Sequence, residues 1–561
     1  MKPIRESLLV LASLGVISMI HIQKSDNSIL SLQPHTHYHF STASKPPNEE
    51  SKYNKAIALL STLQSNQAIR TSIADAPEDK NKDAIPEMLE WLRKAGHKPA
   101  GLARSGMRFI HVAGTSGKGS TCAMIESILL RYQAKEGRSV CKSGNALQKI
   151  GTYTSPHLMD VVERIRIDGK SVSKPIFAGH FMDLWNHFEA VARARSNGGL
   201  DVNASDIRPS YFRFLTILAL RIFLEQGVNT AIIECGIGGE YDSTNILPSE
   251  AVSVSAITKL ELDHVEMLGG TMQEVAWHKA GIIKPHVPTF TAVQTRDAMG
   301  VIKHRALEKS SELNVIARLP ALNDGNIRLG LLGDFQKDNA SLAVAVAASY
   351  LHQHEICADD IPSTEDLLSG SPLPFPFIEG LESVKWPGRC ETYNLGKLQC
   401  YLDGAHTEDG IKGVAAWFRS KADEAFQQKD PPTATMLIFN QDERDGTLLL
   451  RSLLTHMDTY DSPLKWRTMF HYAIFCPNRA FPLEPDEPDF DLTKQEALER
   501  TYREIDRNSI STVVSSVGEA MRIANRISDD EKERVLVLIT GSLHLVGAFL
   551  QYKYRGGRKA I

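Results

Sequence analysis

Apolar positions along the chain recur with two different periods, and the periods alternate. Met107 to Ala113 (MRFIHVA) is a short apolar run that leads into a glycine-rich turn. Cys122 to Tyr132 (CAMIESILLRY) then shows helical spacing, so the unit predicts strand, loop, helix. Tyr211 to Gln226 (YFRFLTILALRIFLEQ) predicts a buried helix, which runs through Gly227 into a β-branched strand at Thr230 to Cys235. Ala251 to Thr258 (AVSVSAIT) predicts the next strand. Strands alternating with helices imply a parallel sheet with helices on both faces. The proline-rich stretch Ser371 to Pro376 reads as a linker, and a second alternation begins beyond it. Its predicted strands are Gln399–Asp403, Thr435–Asn440, Tyr472–Cys476 and Val535–Thr540. The expected organisation is an extension over residues 1–50, one α/β domain over 51–380 and a smaller α/β domain over 381–561. Pro482 to Asp491, acidic and proline-rich, reads as a solvated insertion. There is no internal repeat.

Composition narrows this picture. A length of 561 residues suits two or three domains, each able to bury a core, and 42% hydrophobic with 23% charged residues is a soluble globular balance. A net charge of -4 gives no reason to expect nucleic acid as a partner. The seven cysteines (Cys122, Cys141, Cys235, Cys357, Cys390, Cys400, Cys476) form no CxxC pair and read as reduced thiols. Leu8 to Ile20 is apolar but too short to span a bilayer comfortably, so no stable membrane insertion is expected. The first fifty residues are acid-poor and rich in Ser, Thr and His. A secretory signal, a mitochondrial presequence and a plain disordered extension all fit parts of that pattern. The mitochondrial reading is favoured, with the cytoplasm as the other location.

The candidate chemistry starts at Gly114-Thr115-Ser116-Gly117-Lys118-Gly119-Ser120. Between a strand and a helix, such a loop converges backbone N–H groups, a lysine and a helix N-terminus on phosphate oxygens, which points to ATP. The common phosphate-loop pattern has Ser or Thr directly after Gly-Lys, whereas Gly119 intervenes here. Glu234 closes a predicted strand before Gly236-Ile237-Gly238-Gly239, and Asp263-His264 follows another. Carboxyl ends of parallel strands line ligand crevices, so Glu234, His264 and a hydroxyl such as Ser155 are candidates to hold magnesium. A capping glutamate or a core histidine is the bland alternative for each taken alone. Lys279 lies on a predicted helix. It reads either as a solvated lysine or, if buried, as an amine able to become a carbamate. In the second domain Asp403-Gly404-Ala405-His406 stands where a strand turns into a helix, and Arg389 precedes it in Trp386-Pro387-Gly388-Arg389. Arg389 is placed to reach phosphate across a crevice, although ordinary turn chemistry also accounts for Asp-Gly and Pro-Gly.

An ordered set of motifs carries a resemblance. HVAGTSGKGSTCA from His111, YTSPHL from Tyr153, ERIRIDG from Glu163 and ECGIGGEYDSTN from Glu234 come first. LDHVEMLGGT from Leu262, HKAGI from His278, WPGR from Trp386, YLDGAHT from Tyr401, Phe439-Asn440 with Arg444-Asp445, and TGSLHLVG from Thr540 follow. From about Ser51 to Gly547 the chain resembles the folylpolyglutamate synthase family of Mur-ligase-like, ATP-dependent acid–amino-acid ligases. The resemblance implies a P-loop ATPase-type, mostly parallel sheet domain followed by a Rossmann-like α/β domain. It implies ATP, Mg2+ and a monovalent cation (K+) as cofactors, reduced folates and L-glutamate as partners, and a monomer.

The resemblance places Gly114, Thr115, Gly117, Lys118, Gly119 and Ser120 on the phosphates, and Ser155, Glu234 and His264 on magnesium. It makes Lys279 a carbamylated lysine and puts Arg389 and Asp403 on ATP. His406 resembles the histidine near the acyl phosphate and glutamate. Asp242 resembles a pterin-linked position, and Ser542 and His544 resemble part of a glutamate pocket. Many relatives carry His-Gln where this chain has Phe335-Gln336. Gln336 and Asn339 remain candidate adenine or phosphate contacts. The implied activity phosphorylates a folate γ-carboxylate and joins it to glutamate. Dihydrofolate synthase, a phosphate-loop switch or transport ATPase, and a non-catalytic folate-binding protein are the competing readings.

Overall fold

The computed structural model describes residues 49–63, 82–134, 147–195, 207–442, 444–457, 470–482, 491–530 and 534–556. Leu8–Ile20, with the targeting expectation it carries, Cys141 and most of the Pro482–Asp491 insertion lie outside these residues. Among those described, no helix is long and apolar enough to cross a membrane.

The first alternation folds into an eight-stranded sheet. Its strands are β1 (Arg108–Ala113), β2 (Lys149–Tyr153), β3 (Ile165–Ile167), β4 (Lys170–Ser171), β5 (Val228–Glu234), β6 (Val252–Ile257), β7 (Thr289–Ala292) and β8 (Leu313–Ile316). They lie in the order β4-β3-β2-β5-β1-β6-β7-β8. All neighbours from β2 to β8 are parallel, and only the short edge strands β3 and β4 run antiparallel. Side chains alternate across the pleat. Phe109, Ala231 and Ile233 face a core shared with the helices Lys174–Arg195 and Tyr211–Glu225. Ile110, Val112, Ile232 and Val254 face the opposite core, with the helices Lys118–Leu129 and Gln336–Gln353. Burial on both faces explains why these strands read as continuous apolar runs.

The second alternation forms a six-stranded sheet of β9 (Glu391–Leu395), β10 (Leu398–Leu402), β11 (Ala434–Phe439), β12 (Tyr472–Phe475), β13 (Ile510–Val513) and β14 (Val535–Thr540). The order is β13-β12-β11-β14-β10-β9, parallel apart from the antiparallel edge strand β9. The predicted strands therefore exist, with ends displaced by a residue or two.

The passage between the sheets differs from the expected linker. Phe375–Ser383 is a helix that packs on the helix Lys118–Leu129, and Ser127 Oγ donates to Gly380 O at 2.7 Å. The chain leaves the first sheet only after Ser383, through Val384–Arg389. One cysteine also departs from expectation. Cys122, Cys235, Cys390, Cys400 and Cys476 are free and buried, whereas Cys357 is disulfide-bonded.

Candidate active site

Strand order brings the first set of candidates together. β2, β5, β1 and β6 are consecutive neighbours, and their carboxyl ends carry Ser155, Glu234, the Gly114–Ser120 loop and Asp263-His264 in turn. Gly117 adopts a left-handed conformation at φ 88° directly before the helix Lys118–Leu129. A Cβ there would stand 2.2 Å from Asn339 Oδ1, so only glycine fits. Asn339 Nδ2 donates to Gln336 Oε1 at 2.9 Å, and Gln336 Nε2 lies 3.4 Å from Ser120 Oγ. Gln336 and Asn339 therefore buttress the loop from behind. The irregular Gly119 also has a steric reason. A Cβ at this position would lie 3.2 Å from Trp386 Nε1 and 3.6 Å from Glu234 Oε2.

Lys118 Nζ folds back onto Gly114 O and Thr115 O, each at 3.1 Å. Its charge is felt by Glu234, His264 and Lys279, which makes it the common neighbour of the cluster. Glu234 is 3% exposed and accepts from Ser155 N at 3.1 Å. Burial pushes its carboxyl up, and Lys118, the Ser155 amide, Arg389 and Arg164 oppose that rise. His264 takes a left-handed conformation, with Nε2 at 3.5 Å from Asp263 Oδ2. Burial lowers its imidazole to about 4 against the opposing pull of Asp263, leaving a neutral ring with a lone pair to offer. Lys279 is 2% exposed and donates from Nζ to Gly114 O at 2.7 Å. Burial first, then the charge of Lys118, lowers its ammonium to about 7.

Among the described residues, no group of three His, Cys, Asp or Glu side chains forms a ready metal cage. The Glu234 carboxylate and the Ser155 hydroxyl are oxygen donors of the kind magnesium takes beside waters and phosphate oxygens, whereas the His264 imidazole is not its preferred ligand type.

The second sheet supplies the opposite wall. Asp403, at the end of β10, accepts from Cys390 N and Ala405 N, both at 2.8 Å, while Gly404 N donates to Gly388 O at 3.1 Å. These bonds pin the turn that carries Arg389. Burial raises the Asp403 carboxyl, and Arg389 opposes it. The Arg389 charge also reaches Glu234 and His406, and its guanidinium makes no hydrogen bond to another described residue. His406 Nδ1 lies 2.8 Å from Gly404 O. A carbonyl only accepts, so Nδ1 carries the proton and Nε2 the lone pair. Burial, with Arg444 and Arg389 adding to it, holds this ring at about 3, hence neutral.

Several sequence expectations need correction. Thr115 does not present its donors to the loop's concavity. Its N–H donates to Lys259 O at 3.0 Å and its hydroxyl to Glu261 O at 3.0 Å, which ties the loop to the segment after β6. Asp403 accepts one backbone amide on each oxygen and so positions the turn that carries Arg389, with acceptor capacity left on both oxygens. Asp242 accepts from Gly236 N, Ile237 N, Thr244 N and Thr244 Oγ1, a set that saturates its carboxylate and shapes its own loop. Ser542 is buried and accepts from His544 N at 3.1 Å at the start of the helix Leu543–Gly556, while His544 is exposed. Phe335, at the departure from the histidine of many relatives, packs against the second sheet's core beside Gly413.

Two residues lacked an assigned role. Trp386 lies against Gly119 with the Arg166 guanidinium 5.3 Å from its ring centroid, and Arg166 pairs with Glu126 of the loop's own helix at 3.2 Å. Arg444 grips Asp263 across the crevice, with Nη2 at 2.8 Å from Oδ1 and 3.0 Å from Oδ2. Both sit inside recognisable motifs, but only the fold reveals what they touch.

No family model matches the chain. Folylpolyglutamate synthase of Saccharomyces cerevisiae (strain FostersO) is 34% identical over 509 residues, covering 89% of this chain and 86% of the yeast protein. Among solved structures, Mycobacterium tuberculosis folylpolyglutamate synthase complexed with ADP and AMPPCP aligns with a TM-score of 0.62 at 21% identity. That match covers 90% of this chain and 99% of the mycobacterial one. The FPGS-AMPPCP-folate complex aligns with a TM-score of 0.60 at 23% identity, covering 90% and 99%. These structural likenesses establish the shared fold, and the yeast match, at that identity over nearly the whole of both proteins, establishes that this chain belongs to the folylpolyglutamate synthase family.

Proposed function

We infer that this protein catalyses ATP-dependent addition of L-glutamate to the γ-carboxylate of tetrahydrofolyl-(poly)glutamate. Family membership supports the ligase chemistry. The observation that carries the site is the convergence of Lys118, Glu234, His264 and buried Lys279 opposite an Arg389 whose guanidinium makes no hydrogen bond among the described residues. The folate carboxylate attacks the γ-phosphate of ATP, giving an acyl phosphate and ADP. The glutamate amine then attacks the activated carbonyl, and the bond to phosphate breaks. A carboxylate is a poor electrophile, and phosphorylation supplies the leaving group.

In this reading the loop amides, Lys118 and Arg389 neutralise charge that builds on the transferred phosphoryl group. Ser155, Glu234 and His264 would hold magnesium, whose chemistry is to neutralise phosphate charge. Lys279, with an amine partly unprotonated near neutral pH, reacts readily with carbon dioxide to give an anionic carbamate. His406, neutral with its lone pair on Nε2, would accept a hydrogen bond from the attacking amine and orient it; its ring, held at about 3, leaves the proton itself to pass to solvent. Potassium is the proposed monovalent cation, the monomer the proposed state, and residues 1–50 a proposed mitochondrial targeting segment. A fluorescent fusion of those fifty residues that stays wholly cytosolic would remove the targeting proposal.

One assay separates this reading from its rivals. Protein is given MgATP, labelled glutamate and either tetrahydrofolate or dihydropteroate. Incorporation with tetrahydrofolate is expected; incorporation with dihydropteroate alone would assign dihydrofolate synthase activity, and ATP turnover independent of both would indicate a switch ATPase. Lys118→Ala is expected to lower kcat/KM for MgATP by about 100-fold, the scale of one lost phosphate donor. A wild-type value would remove Lys118 from the phosphate site.

A further inference from the structure

The two walls of the site belong to different sheets, and beside the apolar packing of Phe335, Leu158 and Met159 on the second sheet's cores, polar side-chain contacts between described residues close one on the other. Ser116 Oγ lies 3.4 Å from Thr407 Oγ1, Lys259 Nζ lies 2.8 Å from Asp409 Oδ2, and Arg444 grips Asp263. They differ in weight. The hydroxyl contact is long, and the exposed lysine pair belongs to a class that contributes at most about 1 kcal/mol. Arg444 and Asp263 make the specific contact. Nε donates to Oδ1 at 3.0 Å, and Nη2 donates to both carboxylate oxygens. Side-chain exposures of 23% and 9% leave the pair little solvent. A guanidinium that bonds both carboxylate oxygens fixes orientation as well as proximity.

The pair also sits at a consequential place. Asp263 accepts from His264 N at 2.9 Å and lies beside the His264 ring. The charge of Arg444 reaches His406. One residue of the second sheet therefore touches the neighbour of a first-sheet candidate ligand while standing next to the proposed acceptor-side histidine.

We propose that Arg444 is a positioning residue that clamps the acceptor wall onto the phosphate wall, so that the acyl phosphate meets the glutamate amine and not water. This inference rests on the ligase reading. With the clamp made, the amine forms a C–N bond, the C–O bond to phosphate breaks, phosphate leaves and the amine's proton passes to solvent. With the clamp open, water adds to the same carbonyl and regenerates the carboxylate, releasing phosphate and a proton. ATP is then consumed with no glutamate joined.

The test compares the full chain with Arg444→Ala, Arg444→Lys, Asp263→Asn and the Arg444→Ala/Asp263→Asn double variant. ADP formed per glutamate incorporated is measured beside the radius of gyration from small-angle scattering and the Tm. The wild type is expected to give a ratio near one. Arg444→Ala should raise it about threefold or more and enlarge the particle, with the double variant no worse than either single one. Arg444→Lys, which keeps the charge and loses the fork, should fall between. A ratio near one and unchanged scattering in folded Arg444→Ala would overturn the clamp, and so would additive effects in the double variant. If Arg444→Ala is destabilised, Arg444→Lys and Asp263→Asn decide by the same ratio. A wild type that joins no glutamate would sink the ligase reading instead, and scattering alone would then decide the clamp.

Discussion

Lys279 combines two properties that rarely coexist in a stable protein, full burial and an ionisable amine. Its ammonium is lowered from 10.5 to about 7, chiefly by burial. Between these values the unfolded chain binds more protons than the native one, so native stability rises with pH across that window. Below pH 7 the folded protein carries the cost of a buried charge. Lys279→Met is therefore expected to raise the Tm of the ligand-free protein most at pH 6, with the gain shrinking as pH climbs from 7 toward 10. Equal gains at pH 6 and pH 10 would contradict this. The same substitution should abolish ligation, because the amine is gone.

At the scale of elements, the helix Lys118–Leu129 organises the phosphate wall. Its first turn is crowded by Trp386, carried on the connector between the sheets, and Trp386 is backed by Arg166, which the helix's own Glu126 holds. Gly119 is thus a docking point for the connector that delivers Arg389. Gly119→Ala should displace the indole by a few tenths of an ångström and raise KM for MgATP roughly tenfold, about 1.4 kcal/mol. Trp386→Ala should do the same, and Trp386→Phe should partly restore binding. Emission from Trp386 is expected to respond to AMPPCP; the same response in Trp386→Phe would show that the indole is not the reporter.

On the scale of the whole molecule, Phe335 joins the two halves. It stands at the start of the first sheet's helix Gln336–Gln353, yet packs into the second sheet's core, where a Cβ at Gly413 would approach its ring to 2.8 Å. Gly413 thus makes room for an aromatic ring where many relatives place histidine. Phe335→Ala should cost about 2 kcal/mol, typical of a half-buried aromatic contact, and expose the Val384–Arg389 connector to protease. A Tm and cleavage pattern matching the wild type would show that the Phe335 ring does not join the halves.

Local pattern was sufficient for the strands it named and for the phosphate loop, but not for the helix Phe375–Ser383, which it read in part as a linker. Both periodicities, the glycine loop and the strand-end positions of Glu234, His264 and Asp403 are properties of short segments, so they are legible in the sequence. Ligand class followed from the same segments, because a phosphate loop is built from contiguous backbone. Contacts between distant segments were decided only by the fold. Gly119 looked like an irregularity until Trp386 was found against it, 267 residues later in a different motif. That the Asp242 carboxylate is filled by three backbone amides and the Thr244 hydroxyl is likewise decided by the fold of its loop. Whether Lys279 was a solvated lysine or a buried amine was set by packing against Gly114, which helical spacing does not encode. Spacing along one element reports which face a side chain occupies. Its partner, its burial and therefore its charge state depend on which other element arrives at that face, and that is a property of tertiary structure.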